Sequence, residues 1–162
     1  MTLPLFSVLI ITPLWKGMCK RVLSIDYGRK RVGLARTDEL CIIAVPMEPI
    51  DNTPELVGKI IDIVYEMNIE KIIIGIPKRM GGEEGELASE IKEFAGKLQS
   101  HLSQIEIIFW DESLTSKDAE KIFVEKFKRL PLKKKDKGVI DSYSAAIILQ
   151  EYLESGDWTT DE

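Results

Sequence analysis

Cysteine and histidine are nearly missing from this chain. Among 162 residues there are two cysteines, Cys19 and Cys41, and one histidine, His101. Neither cysteine sits in a Cys-x-x-Cys pair or a Cys/His cluster, which excludes zinc sites of the finger type. Two isolated cysteines fit free thiols in a reducing compartment, so a cytoplasmic protein is expected. Positive charge is also short: 22 Lys and Arg stand against 27 Asp and Glu, a net charge of −5. A module that binds nucleic acid by bulk charge is normally basic. Contact with a polyanion here requires a local basic patch, or metal ions that neutralise acidic groups. Long apolar runs are missing too. Met1 to Trp15 is apolar but too short to span a bilayer, is broken by Pro4 and Pro13, and lacks the basic start of a signal peptide. No membrane partner is expected. Met18 reads as the natural start, with residues 1–17 an extension foreign to the native protein; the alternative is an arm packed on the domain.

What remains has the size and average composition of one ordinary domain, placed here at 18–154 with a polar tail over 155–162. A chain of this length buries about two-thirds of its unfolded surface and needs no disulfide or structural metal. Arg21–Asp26 (RVLSID) reads as a strand ending in an acid, followed by the turn Tyr27-Gly28-Arg29-Lys30. Arg31–Thr37 alternates apolar and polar as a second strand. A tight turn at Asp38-Glu39 leads to a third strand, Cys41–Val45. Such short turns join antiparallel neighbours. Thr53-Pro54-Glu55 has the form of a helix start, with Thr53 as cap and Pro54 at the first helical position. Leu56, Ile60, Ile63, Val64 and Met67 then make a helical stripe. Lys71–Ile76 (KIIIGI) has the continuous apolar run of a buried parallel strand. Gly81, Gly82 and Gly85 predict a flexible loop, followed by a helical stripe from Leu87 to Leu98. Ile105–Trp110 is a fifth strand, Thr115–Lys128 a helix, and Val139–Leu153 the last helix. The order β-β-β-α-β-α-β-α-α predicts an α/β fold: a mixed five-stranded sheet, three antiparallel strands then β/α units, with helices on both faces.

Acids stand at the ends of these elements: Asp26 after strand one, Asp111 and Glu112 after strand five, and Asp141 in the last helix. An acid near the start of a helix as apolar as Tyr143–Leu149 needs a metal, a base or backbone donors, or it serves the helix dipole. Asp26 can bond the amides of the turn at Gly28. Asp111 and Glu112 point to opposite faces of a strand, and periodicity does not say which one joins a shared site. Three carboxylates on separate elements suit two hard divalent ions that clamp a phosphodiester.

Four segments together resemble the YqgF family of Holliday-junction resolvase-like, pre-16S rRNA processing nucleases. They are VLSIDYGRKRVGLARTD (22–38), IIIGIPKRMGGEEGELASEIKEFAGKL (72–98), WDESLTSKDAE (110–120) and IDSYSAAIILQEYLE (140–154), and they occur in the family's order. The resemblance implies an RNase H-like fold and cleavage of RNA or DNA with Mg²⁺ or Mn²⁺. It implies that Asp26, Glu112 and Asp141 are the catalytic metal ligands; the choice of Glu112 over Asp111 comes from the family. Many members carry an arginine after the Asp-Glu pair, where this chain has Ser113. The implied partners are pre-16S rRNA in the ribosomal small-subunit precursor, or structured DNA.

Basic residues near these acids are candidate phosphate contacts, which position a strand without reading its sequence. They are Arg29, Lys30 and Arg31 after strand one, Lys78 and Arg79 after strand four, and Lys133, Lys134, Lys135 and Lys137 before the last helix. Each cluster is otherwise a solvated turn or charge run. His101 reads as a surface residue at a helix end, and Trp110 as core. Two other functions compete. Actin-like and sugar-kinase domains also begin with a strand, an Asp and a Gly-bearing turn, but they close two such domains over a nucleotide. A non-catalytic rRNA-binding assembly factor is the other, although a pure binder gains nothing from acids facing phosphate. No interface signal fixes the oligomeric state that a junction resolvase needs for paired cuts.

Overall fold

The computed structural model describes residues 20–77, 82–111, 121, 125 and 142–155. Eight elements run through the three continuous stretches: β1 (Val22–Asp26), β2 (Arg31–Thr37), β3 (Ala44–Asp51), α1 (Leu56–Glu66), β4 (Lys71–Ile76), α2 (Gly82–His101), β5 (Glu106–Asp111) and α3 (Tyr143–Ser155). The strands form one five-stranded sheet in the order β3-β2-β1-β4-β5. β1–β2 and β2–β3 pair antiparallel, whereas β1–β4 and β4–β5 pair parallel. The mixed sheet expected from the sequence is therefore present, with helices on its two faces.

Strand alternation divides the apolar residues between those faces. Leu23, Ile25, Val32, Leu34, Ile72 and Ile74 pack against Ile60 and Val64 of α1 and Ile91, Phe94 and Leu98 of α2. Val22, Ala35, Ala44 and Ile73 pack against Ala145, Ala146, Ile148, Leu149 and Tyr152 of α3. The first core is built from large aliphatic side chains. The second has alanines on both sheet and helix, so α3 lies close to the strands.

Several local expectations shift. β3 was expected at Cys41–Val45 but spans Ala44–Asp51. Cys41 has φ 55° and belongs to the turn, which is stitched by the Asp38 carboxylate accepting from Ile42 and Ile43 N–H. The strand runs through Pro46 and Pro49, which is tolerable because β3 is a sheet edge. α1 starts at Leu56, two residues later than the sequence suggests. Thr53 contributes its carbonyl to Leu56 N–H, and its side chain bonds the Glu55 carboxylate, which holds that carboxyl below its ordinary pKa. Gly82 and Gly85 lie inside α2 and not in a loop. Cys41 is disulfide-bonded, contrary to the free thiol expected; Cys19, the other cysteine, lies outside the described residues. The extension at 1–17, most of the tail at 155–162 and all of the helix at 115–128 except Lys121 and Glu125 also lie outside them, as do residues 139–141 of the last helix.

Candidate active site

Asp26 is the last residue of β1 and is half-buried. Its neighbours fix its direction. Ile25 belongs to the α1/α2 core, and the Tyr27 ring packs on Phe94 of α2 at 5.1 Å between centroids. Alternation therefore turns Asp26 toward the α3 face, with Val22 and Ser24. Glycines stand on both sides of Asp26 in this row of the sheet, and Trp110 of β5 follows beyond them. Asp26 pairs with Gly33 of β2. On β4, Ile74 pairs with Ile25, so the next residue, Gly75, stands beside Asp26. Two strand glycines thus flank the carboxylate with no side chain of their own, a pattern found where a ligand or another backbone approaches a sheet closely.

Asp111 ends β5, paired with Ile76. Trp110, the residue before it, packs edge-on against Tyr152 of α3 at 5.7 Å and donates from Nε1 to the Glu151 carboxylate at 3.4 Å. Trp110 thus faces α3, and Asp111 faces away from Asp26. Glu112 and Asp141, the other two carboxylates expected at the site, lie outside the described residues. Among the described residues no three His, Cys, Asp or Glu side chains gather as a metal site.

The turn after Asp26 is tightly specified. A Cβ on Gly28 would lie 2.3 Å from the Arg31 carbonyl oxygen, and Asn52 Nδ2 donates to the Gly28 carbonyl at 2.8 Å. Arg29 leans over the opposite face. Its guanidinium lies 3.3 Å from Glu90 and 4.0 Å from Glu86 on α2. These pairs are solvent-exposed and worth little. Lys30 is exposed, and Arg31 stands opposite Asp51 in the ladder. Lys78, Arg79, Lys133, Lys134, Lys135 and Lys137 fall outside the described residues.

A cleft of about 770 Å³, lined by Lys20, Glu70, Lys71, His101 and Glu106 among others, lies at the other end of the sheet. Within the second core, Lys71 Nζ donates to the Tyr152 hydroxyl at 2.9 Å and lies 3.3 Å from Glu106. Burial pushes the Lys71 ammonium down, but Tyr152 and Glu106 together outweigh it and hold its pKa above the ordinary value. Those partners account for the buried charge as structure. His101 is exposed at the end of α2, as expected. The glycines beside Asp26 escaped the sequence analysis, although Gly33 and Gly75 each interrupt an apolar strand and so carried a signal.

A mixed sheet in this order, with an acid at the end of its central strand, is the RNase H-like class of nuclease fold. Solved structures agree at the level of fold. Thermus thermophilus RuvC in complex with a Holliday junction substrate superimposes with a TM-score of 0.56 at 17% identity, over 85% of this chain and 97% of that one. The fowlpox virus Holliday junction resolvase gives 0.58 at 15% identity, over 83% and 99%. The family model described as "RuvX: Holliday junction resolvase" matches residues 20–155, and the chain belongs to that family. A relative from Sulfurihydrogenibium sp. is 45% identical over 83% of this chain and 90% of its own length. One from Protochlamydia amoebophila is 42% identical over 83% and 93%. Both are named "Putative pre-16S rRNA nuclease". The family is one of nucleases, which act on phosphodiester bonds. Among the described residues no helix is long and apolar enough to cross a membrane.

Proposed function

We propose that this chain is a divalent-metal-dependent nuclease that processes the 5′ end of pre-16S rRNA. The carrying observation is the half-buried Asp26 between Gly33 and Gly75, on the face covered by α3. Asp141 precedes α3 by two positions in the chain. Glu112 is the next residue in the chain after Asp111, which ends β5. Hard carboxylate oxygens on separate elements fit Mg²⁺ or Mn²⁺. In this reading Asp26, Glu112 and Asp141 hold the ions, and the glycines leave room for them and for a phosphate. Bound ions supply Lewis-acid stabilisation of the phosphodiester's developing charge and offset the repulsion between an acidic site and a polyanion.

The chain's own residues do the rest. Arg29, Lys30 and Arg31, with Lys78, Arg79, Lys133, Lys134, Lys135 and Lys137, hold the backbone of the strand. Gly28 keeps the turn at Arg29 tight, so that the basic group follows Asp26 at a fixed distance along the chain. The family description favours a second substrate, a four-way DNA junction.

The test is cleavage of a short single-stranded RNA carrying the 5′ precursor segment, beside a four-way DNA junction, with Mn²⁺ or Mg²⁺. Metal-dependent cuts in the RNA that leave 5′-phosphates and vanish in Asp26→Asn support the proposal. Cuts confined to the junction move the substrate to DNA. RNA bound but uncut by every form makes the chain an assembly factor.

A further inference from the structure

Beside the turn that follows Asp26, on the α1/α2 side of the sheet, lies a groove of about 380 Å³. It is lined by Tyr27 and Asn52 near the turn, by Val57 on α1, and by Glu90, Glu93 and Lys97 on α2. That volume is in the range of ligand pockets, about 300–1,000 Å³, and admits one nucleobase. Glu90 and Glu93 make it a poor phosphate site. A flat ring that carries N–H groups suits it better. Tyr27 supplies the aromatic wall: its half-buried ring packs on Phe94 at 5.1 Å, with 43° between the planes. Asn52 donates from Nδ2 to the Gly28 carbonyl at 2.8 Å, which fixes the amide and leaves Oδ1 as an acceptor.

The α2 side decides which base fits. Glu90 is engaged by Arg29 at 3.3 Å. Glu93 lies 3.6 Å from Lys97, one helical turn on, and both side chains reach solvent. Together they present two acceptor oxygens beside an ammonium donor. Guanine has the matching edge: two adjacent donors, N2–H and N1–H, then the O6 acceptor. Uracil sets one donor between two acceptors. Adenine and cytosine each set a ring-nitrogen acceptor beside the amino group.

The groove is close to the acid of the site. Tyr27 follows Asp26, so their Cα atoms are about 3.8 Å apart, and their side chains stand on opposite faces of the sheet. A strand crossing this end of the sheet sets a phosphate on the Asp26 side and a neighbouring base on the Tyr27 side. We infer that the groove is a guanine subsite for the RNA strand that the nuclease cuts, with Glu93 and Lys97 reading the edge of the base and Tyr27 contacting its face. This rests on the nuclease reading and deepens it. A base is read in this way only when it is out of the stack, so the subsite selects single-stranded RNA.

The test needs neither metal nor cleavage. Binding of a short labelled oligouridine with one central guanosine is followed by fluorescence anisotropy in EDTA, beside the same RNA with uridine or inosine at the centre. A bidentate contact to a base edge discriminates about tenfold or more, so the wild type should prefer the guanosine RNA by about that factor over the all-uridine RNA. Inosine, which lacks the N2 amino group, should lose most of the preference. Glu93→Gln should abolish it and Lys97→Met should reduce it, each judged by its own guanosine-to-uridine ratio and checked for folding by circular dichroism. The inosine comparison uses the wild type alone and decides the matter if a variant does not fold. Equal binding of guanosine and uridine RNA by the wild type, or a preference that survives in inosine or in folded Glu93→Gln, overturns the inference and leaves the nuclease reading standing. A wild type that prefers guanosine but cuts no RNA with Mn²⁺ overturns the nuclease reading, and with it the groove's place beside a cut.

Discussion

The two faces of the sheet are built to different rules. The face under α1 and α2 is a continuous layer of Leu, Ile, Val and Phe, in which the buried residues are all apolar. The face under α3 mixes alanines with buried polar groups: Ser24, Thr37, Lys71 and Ser142. Thr37 accepts from Val22 N–H, Ser142 from Leu34 N–H, and Lys71 is held by Tyr152 and Glu106. Ser24 Oγ has no hydrogen-bond partner among the described residues. Asp26 belongs to this second face. One face is therefore held by apolar burial alone, and the other also buries polar groups, most of them held by hydrogen bonds.

Four substitutions sharpen or break that contrast. Asp26→Asn should cut metal-dependent cleavage on the order of 10³-fold, since losing a ligand forfeits several kcal/mol of charge stabilisation. Its melting temperature should not fall, and a variant that melts early while still cutting would remove Asp26 from the site. Ile72→Ala, on the other face, should lose about 2–5 kcal/mol of stability by denaturant unfolding. Its cleavage per folded molecule should match the wild type. A specific loss of activity there would show that the two faces are not separable.

The third concerns Lys71. Because folding raises its pKa above the ordinary 10.5, its contribution is full below that value and is lost as pH rises through the folded-state pKa. Unfolding measured from pH 8 to pH 11 should show wild-type stability falling at the alkaline end, a fall that Lys71→Met lacks. Parallel curves for the two proteins would count against the pairing with Tyr152 and Glu106. The smallest effect is at Ser24. Ser24→Ala removes a buried hydroxyl that no described group satisfies, and should raise stability by about 1 kcal/mol. A loss of stability would mean that the hydroxyl has a partner in solution.

Much of this was legible in the sequence. Alternation in RVGLART and the apolar run KIIIGI identified β2 and β4 within their observed bounds. Asp26 was legible as a strand-end acid. β3 was misplaced because Ile42 and Ile43 look like strand residues, yet they are exposed in a turn. The real strand hides behind Pro46 and Pro49, which only an edge position accommodates. The start of α2 was lost because glycine reads as loop, although acids follow Gly82 as suits a helix N-terminus. The facing of Asp111 had no sequence signature. It follows from Trp110 meeting Tyr152 across 42 positions (from 110 to 152), a tertiary contact. Ser142 was invisible for the same reason: a serine before a helix announces a cap, and nothing local says that its hydroxyl reaches a strand.

The distance in sequence between Leu34 and Ser142 has a consequence for synthesis. β1, β2 and β3 are consecutive, so their antiparallel meander can pair while the chain is still emerging. The α3 face stays open to solvent until the last of the described elements arrives to cover it. Domains form vectorially, at about 5–20 residues added per second, so the half-made protein displays Asp26 on an uncovered sheet for several seconds. The second core, unlike the first, is thereby closed only when α3 docks.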